Sequence, residues 1–308
     1  MKFRAETNAD VDDLNRKYGA PGRIVFTPSP TGFPIVAMAC QYGSVRLSLY
    51  GAHVLDYRPT GHAPVLFMSK ATNLAPGTAI RGGIPVCWPW FGRCGEPGSG
   101  AHGFARKSAW QVTGTEYSEE ESTIRLRLVS TDETRKLWPH DFVLDYTLTL
   151  SMKLTLSLKT SNTGADAFSI TEGFHPYFRV MERDHVTVRG LDGCEFCDAR
   201  VTDVADRTWT GDLRVTDAFD HVFTTHKNEF ALLDPDLKRA IAMVSLHNKK
   251  LIVWNPGPVK EGDFENLAPD EYRNFVCVEP ATLFRPDAIT IPPGQTHELI
   301  AAIQSVAE

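Results

Sequence analysis

The chain has 308 residues, a net charge of −6 and 42% hydrophobic residues, which allows a large core and excludes the composition of a disordered protein. An acidic chain without a long Lys or Arg run is not typical of nucleic-acid or anionic-membrane binding, and we expect neither partner. No apolar leader follows Met1, and no apolar stretch approaches the ~18 residues of a membrane span, which favours a cytoplasmic protein. We expect one domain over 23–308 and an N-terminal arm over 1–22.

Alternation of apolar and polar residues predicts strands through most of the chain. In chain order these patterns lie at 45–49, 124–128, 142–150, 154–158, 240–246, 251–254, 275–278 and 298–303. Helical periodicity is weak, with one candidate at Asp10–Tyr18 and a single turn at 133–137. The 23 Gly and 20 Pro residues punctuate the chain as in turns between strands. The sequence therefore predicts an all-β sandwich or barrel with few short helices.

The cysteines are scattered through a large chain, which argues against a disulfide scaffold and favours free thiols. They are Cys40, Cys87, Cys94, Cys194, Cys197 and Cys277. Cys194 and Cys197 form a lone CxxC without a second pair or a helical βαβ context, so a metal or redox role is disfavoured there.

The chain lacks the motifs GxxxxGK[ST], GxGxxG, HExxH and GxSxG. The missing motifs therefore disfavour nucleotide-dependent and simple hydrolase chemistry, and we expect no cofactor and no metal. Three stretches remain in which Gly, His, Arg and aromatic residues are concentrated, a mixture that purely structural loops rarely need.

The first stretch runs over 79–92 and continues at 101–106. Arg81 and Arg106 lie there among apolar residues, close to His102. A guanidinium matches phosphate or carboxylate bidentately, so both arginines are candidate phosphate or sugar ligands. The alternative is that each forms an internal salt bridge with one of the 38 acidic residues.

The other two stretches each contain one residue suited to proton transfer. His175 lies between aromatic residues in 171–179, and histidine is the side chain best suited to donate a proton near neutral pH. Glu279 follows the apolar run 275–278 and is expected at the end of that strand, where desolvation would raise its pKa. The alternatives are a packed, hydrogen-bonded histidine and a carboxylate paired with an arginine.

Together these stretches resemble the hexose-6-phosphate mutarotase branch of the galactose-mutarotase-like superfamily, over about residues 24–303. The matching pieces, in order, are RGGIPVCWPWFG (81–92), HGFAR (102–106), GFHPYFRV (173–180), VWNP (253–256) and CVEPA (277–281). The resemblance implies a single-domain β-supersandwich of antiparallel sheets, which agrees with the strand patterns.

By this resemblance His175 is the catalytic histidine and Glu279 the catalytic glutamate. The resemblance also implies substrate binding by Arg81, His102, Arg106 and Asp220, the last on the short motif FDHV. Ala101 stands where related enzymes often carry glutamine, which leaves the substrate preference open.

The implied reaction opens the cyclic hemiacetal and recloses it as the other anomer, with His175 as acid and Glu279 as base. The expected partner is a small hexose phosphate, probed first with glucose 6-phosphate, and we expect a monomer. Three alternatives stay open: a mutarotase for unphosphorylated aldoses, a sugar-phosphate-binding protein without activity, and a lyase or glycoside-processing enzyme with further acid–base residues. Cys277 lies two residues from Glu279 on the same strand face, which could bring it close to the site. Packing in the core explains a cysteine at this position equally well.

Overall fold

Strands dominate the computed structural model, which describes residues 7–30, 32–72, 77–93, 100–200, 207–258, 264, 266–283 and 287–307. The strands are β1 Ile24–Thr27, β2 Ile35–Cys40, β3 Gly43–Ser48, β4 His53–Pro59, β5 Val86–Cys87, β6 Gln111–Tyr117, β7 Ser122–Val129, β8 Phe142–Leu150, β9 Leu154–Asn162, β10 Phe168–Ile170, β11 Glu172–Phe174, β12 Tyr177–Arg179, β13 Thr187–Arg189, β14 Glu195–Asp198, β15 Arg207–Thr208, β16 Leu213–Arg214, β17 Phe219–Thr224, β18 Glu229–Asp234, β19 Arg239–Leu246, β20 Lys250–Asn255, β21 Phe275–Thr282, β22 Ile289–Ile291 and β23 Thr296–Ala307. The helices are α1 Val11–Tyr18 and α2 Asp132–Leu137, with 3-10 turns at Asn8–Asp10, Ala105–Lys107, Arg183–His185 and Glu271–Asn274.

The strands form antiparallel sheets of nine, eight, four and two strands. The nine-stranded sheet has the order β16-β13-β18-β19-β23-β9-β8-β7-β6. The eight-stranded sheet has the order β15-β14-β17-β20-β21-β11-β5, with β12 also paired to β21. The smaller sheets are β1-β2-β3-β4 and β10-β22. The prediction of an all-β fold of antiparallel sheets is confirmed.

The main core contains alternate residues from both large sheets. On β8, Phe142, Leu144, Tyr146 and Leu148 are buried in this core, and the residues between them are only half-buried. Such alternation is typical of a strand with one face on the core and one face toward solvent. The period-2 pattern of the sequence therefore identified this part of the fold directly.

Strand β21 is buried on both faces. Val276 and Val278 belong to the main core, whereas Cys277 and Glu279 point to the opposite side of the eight-stranded sheet. The sequence analysis expected Glu279 at the end of this strand. The strand continues to Thr282, so Glu279 lies within it. Alternation is lost in a strand covered on both faces, because both sets of side chains are then buried.

Both predicted helices are present and short. Asn15 on α1 bonds in both directions with the backbone of Phe26 on β1, and Leu14 is buried against the core. Thr131 and Thr134 form a reciprocal capping box at the start of α2. None of the helices in the described part of the chain is long and apolar enough to cross a membrane.

Trp88 ties the first sequence stretch to the nine-stranded sheet. Its side chain is fully buried, and its Nε1 donates to Oγ1 of Thr160 on β9 at 3.0 Å. A buried indole N–H needs such a partner, because an unpaired donor costs about 1–3 kcal/mol. The bond therefore fixes the segment after β5 relative to the core.

Replacement of Thr160 by Val should lower the free energy of unfolding by about 1–3 kcal/mol, because the isosteric side chain leaves Trp88 Nε1 unpaired. Urea denaturation followed by tryptophan fluorescence measures this loss. Thr147→Val, on the half-buried face of β8, is the matched control and should change stability by less than about 0.5 kcal/mol. Equal stabilities of the two variants would contradict the assigned bond.

Candidate active site

The register of β21 brings His175 opposite Glu279. Gly173 on β11 pairs with Ala281, and Tyr177 on β12 pairs with Cys277. The same register, continued across the gap between β11 and β12, places His175 opposite Glu279. The His175 Nε2 and Glu279 Oε1 atoms are 3.4 Å apart, and both side chains are almost entirely buried.

These two residues lie in a cavity of about 510 Å³ on the face of the eight-stranded sheet that points away from the main core. This is within the size range of about 300–1,000 Å³ for small-molecule sites. The described lining residues are Arg81, Phe91, Gly92, His102, His175, Ala199, Asp220, Val222, Ile252, Trp254, Phe264, Glu279 and Leu283. Five of the six predicted site residues are therefore together in one cavity.

The His175 ring is held between aromatic side chains. Tyr177 stacks on it with ring centroids 4.9 Å apart, and Trp254 meets it edge-on at 5.9 Å. Its backbone N–H donates to the Pro85 carbonyl at 3.2 Å, which joins the second sequence stretch to the first. The Nδ1 atom is buried and has no hydrogen-bond partner among the residues that the structure describes. The ring is thus positioned by packing, with Nε2 directed toward Glu279.

His102 is held in an unusual backbone conformation beside His175. Its φ is 62°, in the left-handed region, where a non-glycine residue costs about 1–3 kcal/mol. The Gly92 carbonyl accepts from its backbone N–H at 2.7 Å, and its Nδ1 accepts from the Gly92 N–H at 3.3 Å. Because Nδ1 accepts this hydrogen bond, the proton of the neutral ring is on Nε2. The next residue, Gly103, also has a positive φ, and a Cβ there would lie 1.9 Å from the Trp88 carbonyl oxygen.

Arg81 supplies positive charge to the cavity. Its Nη1 donates to the Tyr177 hydroxyl at 3.0 Å, and its guanidinium lies over the Phe264 ring at 5.6 Å. No described carboxylate forms an ion pair with it within 4.0 Å, so the salt-bridge alternative is not observed among the described residues. An arginine without a carboxylate partner is available to bind an anion.

Arg106 is not among the described residues that line the cavity. Its Nη2 donates to the Ala101 carbonyl at 2.6 Å, and its buried Nε has no hydrogen-bond partner within the described part of the chain. Its charge still acts on the cavity, because it helps to lower the pKa values of His102 and His175. Of the two arginines that the sequence predicts to bind substrate, Arg81 is therefore among the described lining residues and Arg106 is not.

Burial sets the protonation of the acid–base pair. Desolvation, reinforced by the neighbouring His102 ring and by the positive charges of Arg106 and Arg81, holds the pKa of His175 well below 6.5. Desolvation, with the charge of Asp220, raises the pKa of Glu279 well above 4.5. Both effects favour the neutral forms. Asp220 on β17 has a pKa raised to about 6, first by its own burial and then by Asp198.

Comparison with known proteins identifies the family of the chain. Residues 36–304 match the aldose 1-epimerase family, and the chain belongs to that family.

The chain is 35% identical to a provisionally named glucose-6-phosphate 1-epimerase of Escherichia coli over 235 residues, which cover 76% of this chain and 78% of that protein. A protein of the same provisional name from Cenchrus ciliaris is 29% identical over 289 residues, 90% of this chain and 86% of its own. The crystal structure of YeaD, a provisionally named mutarotase from Salmonella typhimurium, has a TM-score of 0.87 at 27% identity and covers 95% of this chain and 96% of its own.

Several cavity residues were not singled out from the sequence. Val222 and Ile252 carry no chemical signal, and Trp254 was noted only as part of a matching motif. The sequence predicted strands β20 and β21 but not β17, and the pairing of these three strands aligns Val222 and Ile252 with Glu279. Phe91 and Phe264 lie on loops, so no strand pattern could have placed them.

His175 and His102 should both remain neutral at pH 5.5, about one unit below the ordinary histidine value. The pKa of His102 is lowered to about 3 and that of His175 well below 6.5, chiefly by desolvation. The exposed His185, whose pKa is raised by its hydrogen bond to Asp236, is the internal control and should be protonated at the same pH. Ring ¹⁵N chemical shifts measure all three. A His175 midpoint at or above pH 6.5 would contradict the desolvation of this site.

Proposed function

We propose that this protein interconverts the α and β anomers of a hexose 6-phosphate, with glucose 6-phosphate as the first candidate. The observation that carries the proposal is the contact between His175 and Glu279 at the bottom of a cavity that also contains Arg81. Membership of the aldose 1-epimerase family supports the chemistry, and the names of the relatives support a phosphorylated substrate.

The reaction starts from the ion-pair form of the pair, in which the proton that the two groups share has moved from Glu279 to His175. His175 then protonates the ring oxygen while the ionised Glu279 takes the proton of the anomeric hydroxyl, which opens the ring to the aldehyde. The C1–C2 bond then rotates, and closure on the other face reverses both proton transfers. All bonds that break during opening are re-formed during closure, so neither a cofactor nor a redox partner is needed. The enzyme returns to its starting protonation state after each turnover.

The buried environment favours these transfers. A protonated His175 with a lowered pKa is a strong acid, and an ionised Glu279 with a raised pKa is a strong base. Ring opening converts this charged pair into two neutral groups, the state that burial stabilises. The two groups therefore share one proton. While the sugar is in its open-chain form, this proton is on Glu279 and both groups are neutral, which is the more stable form of the buried pair.

The remaining charged and polar residues are proposed to hold the substrate. Arg81 binds the phosphate, for which its planar guanidinium is suited. Asp220 and His102 bind sugar hydroxyls, so that the flexible open chain stays aligned with the acid–base pair. Arg106 contributes through its charge and through the Ala101 carbonyl that it holds, from a position outside the cavity lining.

A mutarotase for unphosphorylated aldoses is the second candidate. It is favoured by the finding that Arg81 is the one arginine among the described lining residues. A sugar-binding protein without activity would have no use for a buried carboxylate held beside a buried imidazole, each of which costs free energy. The phosphorylated substrate remains the first candidate because Arg81 has no described carboxylate partner.

The proposal extends to organisation and location. We place the enzyme in the cytoplasm as a monomer, with one catalytic domain over 23–308 and an arm over 1–22. A dianionic sugar phosphate does not cross membranes unaided, so its mutarotase belongs in the compartment where the substrate is made. The net charge of −6 supports the expectation that nucleic acid is not a partner.

Glu279→Gln should reduce the exchange rate between the glucose 6-phosphate anomers about a thousandfold, because an amide cannot accept the hydroxyl proton. NMR magnetisation exchange between the anomeric protons measures the rate. Glu172→Gln is the matched control: Glu172 is equally buried on the adjacent β11, and its Oε1 lies 2.9 Å from His297 Nε2, away from the described cavity lining. It should keep the wild-type rate, and near-normal exchange by Glu279→Gln would refute the assigned base.

Arg81→Met should raise the KM for glucose 6-phosphate about tenfold to a hundredfold, which corresponds to the loss of a charged hydrogen bond. The kcat should change less, because the phosphate is remote from the anomeric carbon. Parallel assays with glucose and with Arg106→Met provide the controls. A greater loss in Arg106→Met, or equal losses with phosphorylated and free sugar, would contradict phosphate binding by Arg81.

A further inference from the structure

Cys277 has no part in the proton transfers, yet it lies beside the groups that carry them. Its thiol is fully buried on the same face of β21 as Glu279, two residues away. One ligand atom from each of His175, Cys277 and Glu279 lies within 4.8 Å of the other two. An imidazole nitrogen, a thiol and a carboxylate are together a donor set that suits zinc and similar thiophilic ions.

We propose that these three side chains bind a thiophilic divalent cation, Zn²⁺ or Cd²⁺, at the bottom of the cavity, and that the bound ion blocks the active site. The metal site goes beyond the proposed mutarotase function, whereas the blockage rests on it. A bound ion would occupy the nitrogen and the carboxylate that the reaction needs for proton transfer.

The distances suit a tetrahedral ion. Bonds of about 2.0–2.3 Å place tetrahedral ligand atoms about 3.3–3.8 Å apart. His175 Nε2 and Glu279 Oε1 already lie 3.4 Å apart, and the thiol, which lies within 4.8 Å of both other ligand atoms, needs a shift of about 1.3 Å at most. Three protein ligands leave a fourth position on the cavity side, where water can bind.

Two further observations indicate that these side chains can accept a ligand. Glu279 Oε2 is buried and has no hydrogen-bond partner among the described residues. The Arg81 guanidinium donates to the Tyr177 hydroxyl and forms no ion pair with Glu279, so it does not occupy the Glu279 oxygens that a metal would use. The positive charge of Arg81 opposes a second cation in the cavity, but an ionised Glu279 and a metal-bound thiolate together offset it.

The cysteines offer a matched control. Cys87 on β5 is also fully buried, and it packs with Phe91, Ile252 and Ala281 beneath the same cavity. It does not belong to the cluster formed by His175, Cys277 and Glu279. Cys87→Ala and Cys277→Ala therefore remove equivalent thiols at similar depth, and only the second removes a ligand.

The test is titration of the untagged full-length protein with Cd²⁺, followed by the ultraviolet charge-transfer band of cadmium bound to thiolate. We expect one equivalent to bind to the wild type and to Cys87→Ala, and an affinity at least about a hundredfold weaker in Cys277→Ala. No band in the wild type, or an undiminished band in Cys277→Ala, would overturn the proposal.

Two further measurements separate this inference from the proposed function. In a crystal soaked with Zn²⁺, an anomalous peak should lie between the three side chains. Its absence would overturn the site even if Cys277→Ala failed to fold. Zn²⁺ should also inhibit anomer exchange by the wild type and much less by Cys277→Ala, which should keep its basal rate. Metal binding without any exchange activity would support the site and refute the mutarotase assignment.

Discussion

The active site of this protein depends on the burial of an ionisable pair, one member on a central strand and the other opposite it. Glu279 lies in the middle of β21, covered on both faces, and His175 lies opposite it in the gap between β11 and β12. Either group alone would be costly in such a place. Together they can share one proton and remain neutral, and the same property makes them a usable acid and base.

The surrounding structure holds this pair in place. Asn255, the asparagine of the VWNP motif, is fully buried and bonds to the backbone of Tyr272, Phe275 and Gly257 and to Arg183, which fixes the end of β20 beside β21. Glu271 accepts from the Ser69 hydroxyl and from two backbone N–H groups, and so holds Ser69, whose own backbone N–H donates to the Arg81 carbonyl. Asn255 and Glu271 thus act through their hydrogen bonds to the backbone, which position the segments that carry the site residues.

The sequence predicted more of the fold than of the site. Half-buried strands such as β8 were identified by their alternation, and α1 by its periodicity and by the Gly19 and Pro21 that follow it. The end of β21 was placed too early, because a strand buried on both faces has no alternation. The sequence analysis treated Arg81 and Arg106 alike, and of the two only Arg81 is among the described residues that line the cavity, a difference that composition does not carry.

The sequence by itself determined the all-β class and the identity of the residues able to transfer protons or bind anions, because side-chain chemistry and local periodicity are written in the chain. Tertiary structure alone decided that His175 faces Glu279 and that Cys277 joins them, since strand register couples residues far apart in sequence. It also decided their protonation, because desolvation depends on what packs around a group and not on its neighbours in the chain.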